Sequence, residues 1–415
     1  MNPRDVPDTA PTVPTVLFVD DSHWHGFAQL SSRLRRQGVR TVRVTTEVRT
    51  ASHITSSLLF DRHLVVHRSS APRALAAILL SENVVDVQFV ETVRDLVADA
   101  LDMMPPEVGD AISRRLSVMD KMLASALFER SGIRVPATTA LRDATPDSIV
   151  ARYGLPVVVK GRVGCNGDRV LIVDDLEALH EVRAQLRDPE AYFYEQYVSG
   201  EKLNYAAAVG PDGIAQELTY RVTKWRQPVG SAEEAETIDD NALAAFGRRA
   251  VAAARCTGLV NLDVIRDAEG HDWLIDFNPR AFGGLVSFLA AGLDLSQGYL
   301  SAIGERRSPL TSRGPVVGAR VRIFPACMAE TTEGVGLVTS ASTYLREARP
   351  YLRWLGLRYS IAEAGITLFV AARSSWRRRF SRRHPWGSAQ ADPDGLLREP
   401  EGLAHRRPGV YAPGV

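Results

Sequence analysis

The sequence LIDFNPRAFGG at residues 274–284 combines a short strand with a turn that carries acidic, amide and basic side chains. Because side chains alternate between the two faces of a strand, its polar residues are predicted to share one face. That face carries Leu274, Asp276, Asn278 and Arg280, and the opposite face carries Ile275 and Phe277. A solvated edge strand that ends in an Asn-Pro turn would show this pattern. A site that binds a metal ion and a phosphate would show it as well.

The segment just before it, LVNLDVIRD at residues 259–267, predicts a second strand, and the connection AEG (268–270) predicts a hairpin. Asp263 would then face Asp276 and Asn278 across the hairpin. These side chains offer only oxygen ligands, which suits Mg²⁺ that bridges phosphates. Arg280 would stand beside them, where a guanidinium can stabilise an anionic oxygen.

A second polar segment, PVVVKGRVGCNGDRV at residues 156–170, is a strand that ends in Lys160 and continues into a loop with glycines at 161, 164 and 167. Glycines let backbone amides approach phosphate oxygens, and the lysine supplies a point charge. The spacing is that of neither a P-loop nor a dinucleotide fingerprint. A plain glycine-bearing turn is the alternative interpretation.

The segment FYEQYVSGEKLN at residues 193–204 places Glu195 and Glu201 around the end of an apolar strand. A carboxylate there can accept from an adenine amino group or a ribose hydroxyl, and a charged turn is the alternative. The lysines indicate the same region. The chain has only four among its 50 basic residues, Lys121, Lys160, Lys202 and Lys224, and all lie between residues 121 and 224. A lysine that persists in so arginine-rich a chain indicates a position that needs a compact ammonium.

The N-terminal part alternates strands and helices, which predicts a small parallel sheet with helices on its faces. Its strands are TVLFVD (15–20), RTVRVTT (40–46) and VVDVQFVE (84–91). The loop DDSHWHG (20–26) follows the first strand and is expected to line a substrate cleft. His23 and His25 in this loop lack further ligands, so a metal site there is the weaker alternative.

Beyond this part, SRRLSVMDKMLASALFERSGI (113–133) predicts one long helix with Met119, Leu123, Leu127 and Ile133 on one face. Near the C-terminus, GARVRIF (318–324) alternates like a strand, YLREARPYLRWLGL (344–357) predicts an amphipathic helix, and AGITLFVAAR (364–373) predicts a strand. The arginine-rich segment 373–384 fits a solvated tail, with a nucleic-acid or lipid patch as the alternative.

Composition narrows the classes of function. A net charge of +1 over 415 residues argues against a protein built mainly for nucleic acid or anionic membrane. Three widely spaced cysteines form no disulfide framework, which fits a reducing cytoplasm. The first residues contain no apolar core of a signal peptide, and no apolar run approaches the length of a membrane span.

The order of these motifs resembles the ATP-grasp superfamily over roughly residues 110–300, most strongly at LIDFNPR and PVVVKGRVGCNGDRV. The resemblance implies an α/β (α+β) fold in which two subdomains clamp ATP behind a small parallel-sheet domain. It implies a disordered lead at 1–13, an N-terminal α/β domain at 14–111 and an ATP-grasp domain at 112–300, with a lid-like subdomain at about 150–200. A C-terminal extension at 301–372 and a basic tail at 373–415 complete the predicted organisation.

The resemblance also assigns the nucleotide-binding residues. Lys121 and Lys160 would contact the ATP phosphates, and the loop that contains Gly164 and Gly167 would close over them. Glu195 and the backbone near Val198 would meet adenine, and Glu201 would hold the ribose.

The remaining roles concern the metal and the reaction. Asp263, Asp276 and Asn278 would bind Mg²⁺, with Mn²⁺ as an alternative, and Arg280 would stabilise an acyl phosphate. Lys160 acts in catalysis too, and Lys224 either reaches the γ-phosphate or is a solvated loop lysine. Lys202 is expected on the surface.

The resulting hypothesis is an ATP-dependent ligase that activates a carboxylate as an acyl phosphate and joins it to an amine, releasing ADP and phosphate. Its partners would be small amino-acid-like or peptide-like carboxylates and amines, without nucleic acid or membrane, and a homodimer stays open. The alternatives are another ATP-grasp enzyme that transfers a phosphoryl or carboxyl group, and a nucleotide-binding protein without catalysis.

Overall fold

The structure is a computed structural model of the 415-residue chain. It describes residues 13–21, 24–46, 58–165, 167, 169–225, 232–305 and 314–323, and then 342, 349, 351, 354–359 and 361–362. His23, Asn166, Asp168, the predicted strand at 364–373 and the arginine-rich tail therefore lie outside the described residues. Within the described ranges, no helix is both long and apolar enough to cross a membrane.

The N-terminal domain is a parallel sheet of four strands in the order β3-β2-β1-β4. Its elements are β1 (Pro14–Asp20), α1 (His25–Arg36), β2 (Arg40–Thr45), β3 (Arg62–Val65), α2 (Ala71–Ser81) and β4 (Asn83–Phe89). Sequence analysis predicted three of these strands and missed β3. Its sequence RHLV spans four residues, none of them fully buried, so it has neither an apolar run nor a clear alternation.

Three helices lead into the second half of the chain: α3 (Arg94–Ala98), α4 (Pro106–Met119) and α5 (Lys121–Arg130). The prediction of one long helix over 113–133 is wrong, because Asp120 has extended backbone angles (φ −82°, ψ 108°) and separates α4 from α5. The Asp120 side chain accepts a hydrogen bond from the Leu123 amide, which caps α5. Leu123 is 56% exposed and does not belong to the predicted apolar face. The break places Lys121 on the first turn of α5.

A small antiparallel sheet follows, in the order β5-β8-β6-β7. Its elements are β5 (Thr138–Ala140), α6 (Pro146–Tyr153), β6 (Val157–Gly161), β7 (Val170–Val173), α7 (Leu176–Gln185) and β8 (Tyr192–Gln196). The two helices cover one face and form a separate apolar core around Ile149, Leu179 and Tyr194. Lys160 lies near the end of β6, at the start of the glycine loop.

The third sheet is the largest, with six antiparallel strands in the order β13-β12-β9-β10-β11-β14. Its elements are β9 (Glu201–Gly210), β10 (Gly213–Trp225), β11 (Ala232–Thr237), α8 (Asn241–Ala254), β12 (Gly258–Arg266), β13 (Asp272–Asn278), α9 (Leu295–Ala302) and β14 (Arg320–Arg322). One face packs on α8, and Gly247 of α8 lies so close to the Tyr205 ring that an added Cβ would sit 2.4 Å from a ring carbon. The other face packs toward the N-terminal domain.

The N-terminal domain contacts the segment that follows β13 through three polar anchors. Trp24 Nε1 donates to the Ala281 carbonyl at 2.8 Å, and Gln29 Nε2 donates to the Gly283 carbonyl at 3.0 Å. The Ala281 amide donates to Gln88 Oε1 at 3.1 Å. These bonds fix the backbone immediately after Arg280 against the first sheet.

The β12–β13 hairpin exists as predicted, with Asp263 paired to Asp276, but it contains a β-bulge. The next pair in register is Val264 with Leu274, so Ile275 is an extra residue on β13. A bulge of this kind re-aims the side chains on either side of it.

The bulge overturns one expectation about the two faces of this strand. Leu274 and Phe277 are both buried in the core beneath the sheet, whereas Ile275, Asp276 and Asn278 line a cavity. The prediction that Leu274 shares a face with Asp276, opposite Ile275, is therefore wrong. Strict alternation fails because the extra residue, Ile275, shifts the alternation of side chains by one position.

Candidate active site

A cavity of about 650 Å³ lies between the small sheet, the large sheet and the first turn of α1. This volume falls within the usual range for small-molecule sites. It is lined by most of the residues that the sequence singled out: Lys121, Lys160, Gly164, Gly167, Glu195, Val198, Asp263, Asp276, Asn278 and Arg280. Glu201 and Lys224 are not among the lining residues.

The two lysines of the site are buried and hold fixed partners. Lys160 is 5% exposed, and its Nζ donates to the Ile275 carbonyl at 2.6 Å and lies 3.3 Å from Glu195 Oε1. Lys121 forms an ion pair with Asp276. Burial opposes the charge on Lys121, but Asp276 outweighs it and the pKa of the lysine is raised. Lys121 is therefore held as a cation inside the cavity.

The two aspartates lie side by side on the hairpin and are electrostatically unequal. Burial and the neighbouring Asp276 raise the pKa of Asp263 to about 6, although Lys121 and Lys160 oppose this shift. Burial also acts against the charge of Asp276, but the two lysines outweigh it and lower the pKa of Asp276. Asn204 donates a hydrogen bond to Asp263 Oδ1. A divalent cation between the carboxylates would relieve their repulsion.

The donor set fits Mg²⁺ better than a softer metal. Asp263, Asp276 and Asn278 present carboxylate and amide oxygens, the ligands that Mg²⁺ prefers. In the described part of the chain, no group of three or more His, Cys, Asp or Glu side chains is placed to hold a metal ion, and the candidate site combines two carboxylates with one amide.

Arg280 is fixed by Glu91, which sequence analysis did not identify, by Trp24 of the DDSHWHG loop, and by Asn278. Its Nε donates to Glu91 Oε1 at 2.8 Å, and its guanidinium lies 4.2 Å from the centre of the Trp24 ring. It also donates to Asn278 Oδ1 at 3.2 Å. Burial opposes the charge of Arg280, but Glu91 outweighs it and raises the pKa of the guanidinium. The position of Glu91, just beyond the carboxyl end of β4, was the available signal, because ligands in such sheets sit at that edge.

The structure exchanges the expected positions of Glu201 and Lys202. Lys202 lines the cavity, and burial lowers its pKa, an effect that Asp263 partly offsets. The expectation of a surface Lys202 is therefore wrong. Glu201, its neighbour on β9, is exposed and lies 3.6 Å from Arg221. Adjacent strand residues point to opposite faces, which explains why only one of the two reaches the cavity.

Lys224 lies near the end of β10 and pairs with Glu233 at 3.4 Å, with its side chain 47% exposed. Residues 226–231, which follow it, are outside the described ranges. Neither Glu201 nor Lys224 lines the cavity, so the roles suggested for these two residues remain predictions.

The glycine loop closes one side of the site. Gly167 has φ +75°, a conformation that favours glycine, and its carbonyl accepts from the Val170 amide at 3.1 Å. A Cβ at Gly161 would lie 2.8 Å from Arg169 Cβ, so the loop begins where only glycine fits without displacement. Gly164 and Cys165 complete this wall of the cavity.

Comparison with known proteins identifies relatives of the sequence and solved structures that share its fold. No family model matches the sequence. D-alanine–D-alanine ligase of Gloeobacter violaceus is 28% identical over 215 residues, which cover 46% of this chain and 70% of that protein.

Two solved structures share the fold. Carboxyaminoimidazole ribonucleotide synthase from Aspergillus clavatus, complexed with ATP, superposes with a TM-score of 0.60 at 15% identity, over 72% of this chain and 79% of that one. L-amino acid ligase from Bacillus licheniformis superposes with a TM-score of 0.54 at 14% identity, over 71% and 75%.

The three sheets and the cavity between them are therefore those of an ATP-grasp fold. The curated proteins that the sequence matches include D-alanine–D-alanine ligases, and the two solved structures share its fold.

Proposed function

We propose that this chain phosphorylates a small carboxylate with ATP and joins the resulting acyl phosphate to an amine, releasing ADP and phosphate. One observation carries the proposal. One cavity combines Lys121, Lys160 and Arg280 with the paired carboxylates of Asp263 and Asp276. Transfer of a phosphoryl group to an anionic carboxylate requires this combination of cations and cation-binding oxygens, because every reacting group is negative.

The nucleotide would lie with its base toward the small sheet. Val158, Ile172, Val198 and Ile265 provide an apolar slot on that side of the cavity. The backbone that joins β8 to β9 borders the slot and offers amide and carbonyl groups to the edge of a base. This placement leads the triphosphate toward Lys160 and the glycine loop.

The metal would bind between the two aspartates and Asn278. When bound, Mg²⁺ neutralises charge on the phosphates and orients the transferring group. Lys121 forms an ion pair with Asp276. We expect this pair to loosen if Asp276 also serves as a ligand of a bound cation. Lys121 would then be available to the phosphates.

Arg280 would hold the carboxylate substrate. In the first step a carboxylate oxygen attacks the γ-phosphorus, and the bond from that phosphorus to the bridging oxygen of ADP breaks. In the second step the amine nitrogen attacks the acyl carbon, phosphate leaves with the C–O electron pair, and the nitrogen loses a proton. The guanidinium would stabilise the negative oxygen in both steps, a kind of contribution worth about 10² to 10³ in rate.

The relatives suggest the class of substrate. D-alanine–D-alanine ligase and L-amino acid ligase are named for amino acids. We therefore propose that an amino acid or a short peptide supplies both the carboxylate and the amine.

An isotope experiment tests the acyl phosphate. A panel of amino-acid pairs is screened for ADP release with Mg²⁺, and the active pair is repeated with the carboxylate labelled with ¹⁸O. One ¹⁸O atom should appear in the released phosphate for each peptide formed. The Arg280→Gln variant should lose turnover by about 100-fold or more, while Arg248→Gln on the outer surface should match the parent. Phosphate without label, or ADP release that needs no amine, would contradict the proposal.

A further inference from the structure

The cavity has a second apolar region, on the side away from the proposed nucleotide slot. It is formed by Trp24, Tyr220, Val222, Ala232, Phe282 and Ile323. Two of these side chains, Phe282 and Tyr220, pack against the buried Phe288. The ring centre of Phe288 lies 6.4 Å from that of Phe282 and 4.7 Å from that of Tyr220. The region is therefore a built wall rather than a set of scattered surface side chains.

Strand order separates this wall from the phosphate end of the site. The aspartates stand on β12 and β13, whereas Tyr220, Val222 and Ala232 of the wall stand on β10 and β11, and Ile323 follows β14. Strands are about 4.8 Å apart, so β11 lies roughly 14 Å from β12. A nucleotide bound at the small sheet with its triphosphate at the aspartates would leave this region to another molecule.

Arg280 joins the two regions. The Trp24 ring that begins the apolar wall stacks on the Arg280 guanidinium at 4.2 Å. A carboxylate held by Arg280 would therefore have its substituent next to Trp24 and Phe282. The polar side chains that also border this end of the cavity are His25 and Asn261, and Asn261 Nδ2 already donates to the Tyr220 hydroxyl at 2.8 Å.

Gly283 keeps this end of the cavity open. An added Cβ there meets no atom of the described residues within 4 Å, and the residue lines the cavity. The adjacent Gly284 differs, because its Cβ would lie 3.2 Å from Ile323. Gln29 Nε2 donates to the Gly283 carbonyl at 3.0 Å. The backbone beside this open end of the cavity is therefore held in place.

From these observations we infer that the activated substrate is an amino acid with a bulky apolar side chain, which fills the region formed by Trp24, Phe282 and their neighbours. This inference rests on the proposed function, since it identifies the carboxylate that Arg280 receives. Leucine, isoleucine, methionine and phenylalanine fit the wall, whereas a charged side chain would lose its hydration against these apolar side chains. Alanine would leave most of the region unfilled.

The test measures kcat/KM for a series of carboxylate amino acids with one fixed amine, the ¹⁸O label identifying which partner is activated. Leucine should exceed alanine by about 50-fold, the gain expected from burying three more carbons. Aspartate and lysine should be poorer than alanine. A preference for alanine or for a charged side chain would overturn the inference and leave the ligase proposal standing.

A cavity-filling variant provides a second, independent measurement. Gly283→Leu should lower kcat/KM for leucine by about tenfold or more and leave that for alanine within about threefold, with ATP affinity unchanged by calorimetry. Ala290→Leu, an exposed position in the same segment, is the matched control and should change neither. An equal loss for all amino acids in Gly283→Leu would count against a side-chain pocket.

If no pair of amino acids supports ADP release, the proposed function fails, and binding then decides the inference alone. In that case the shift of thermal unfolding by leucine, phenylalanine, alanine and aspartate is measured with a non-hydrolysable ATP analogue present. Stabilisation by the two bulky apolar amino acids, and its loss in Gly283→Leu, would sustain the inference. Equal or absent shifts would overturn it.

Discussion

The pair formed by Lys160 and Glu195 allows the stability of the fold to be separated from the chemistry of the site. The side chains of Lys160 and Glu195 are 7% and 6% exposed, and their charged atoms lie 3.3 Å apart. Removing one partner of a buried pair leaves an uncompensated charge, which costs about 3–5 kcal/mol. We therefore expect Lys160→Met to lower the free energy of unfolding of the unliganded protein by this amount at pH 8.

The double variant Lys160→Met/Glu195→Leu should recover part of that loss. It removes both charges, and what remains is the Ile275 carbonyl that Lys160 Nζ contacts at 2.6 Å. A buried carbonyl without a donor costs about 1–3 kcal/mol. Urea denaturation should therefore rank the parent first, the double variant second and Lys160→Met last.

The loss in Lys160→Met should also depend on pH in a defined direction. Burial raises the pKa of Glu195, with Lys160 opposing the shift, and loss of the lysine raises it further. The folded state then binds the proton more tightly than the unfolded state, so the unfolding free energy of Lys160→Met rises as the pH falls through the folded pKa. The defect should thus be largest at pH 8 and smaller at pH 5.

The ATP affinity of these variants should not follow the order of their unfolding free energies. Lys160→Met and the double variant should both lose ATP affinity by calorimetry, because neither retains an ammonium at the glycine loop. Lys160→Arg should turn over nearly as poorly as Lys160→Ala, since the broader guanidinium crowds that loop. A Lys160→Met protein that unfolds within about 0.5 kcal/mol of the parent at pH 8 would refute the buried pair as described.

Three further outcomes are expected. Asp276→Asn should fold like the parent but lose ADP formation by about 100-fold or more, and activity within twofold at the same Mg²⁺ concentration would show that the hairpin is structural only. Iodoacetamide at pH 8 should modify Cys165, which lines the cavity, much faster than Cys256, where burial raises the thiol pKa to about 12; peptide mass spectrometry should show Cys165 protected by ATP. Gly247→Ala should destabilise the fold by about 1–3 kcal/mol in urea, because the new Cβ meets the Tyr205 ring, and an unchanged transition midpoint would mean that α8 moves freely on the sheet.

The fold could be predicted largely because its signals are local. Strand and helix alternation identified the parallel sheet, and three connecting residues identified the β12–β13 hairpin with Asp263 opposite Asp276. Such patterns depend on side-chain period and turn length, which the sequence states directly.

The errors have a common physical origin in single-residue irregularities. Asp120 leaves the helical conformation to cap α5, so an apolar helical pattern that spans it is interrupted. Ile275 is inserted into a strand whose alternation looks regular, so the faces beyond it exchange. Aspartate is a common N-cap residue, so Asp120 carried a signal that the apolar pattern on both sides outweighed, whereas nothing in the residue type of Ile275 marks a bulge.

The position of Arg280 shows most clearly what the sequence alone could not supply. Its motif identified the residue, but its orientation depends on Glu91, 189 positions earlier in the chain, and on Trp24 in the first βα loop. Both belong to the N-terminal domain, where the DDSHWHG loop that contains Trp24 was expected to line a substrate cleft, but nothing in the sequence connected Trp24 or Glu91 to Arg280. A guanidinium held by a buried carboxylate and an aromatic ring cannot swing into solvent, so it keeps its direction when substrate arrives. If Arg280 acts as proposed, the N-terminal domain contributes to the reaction by holding this arginine in place.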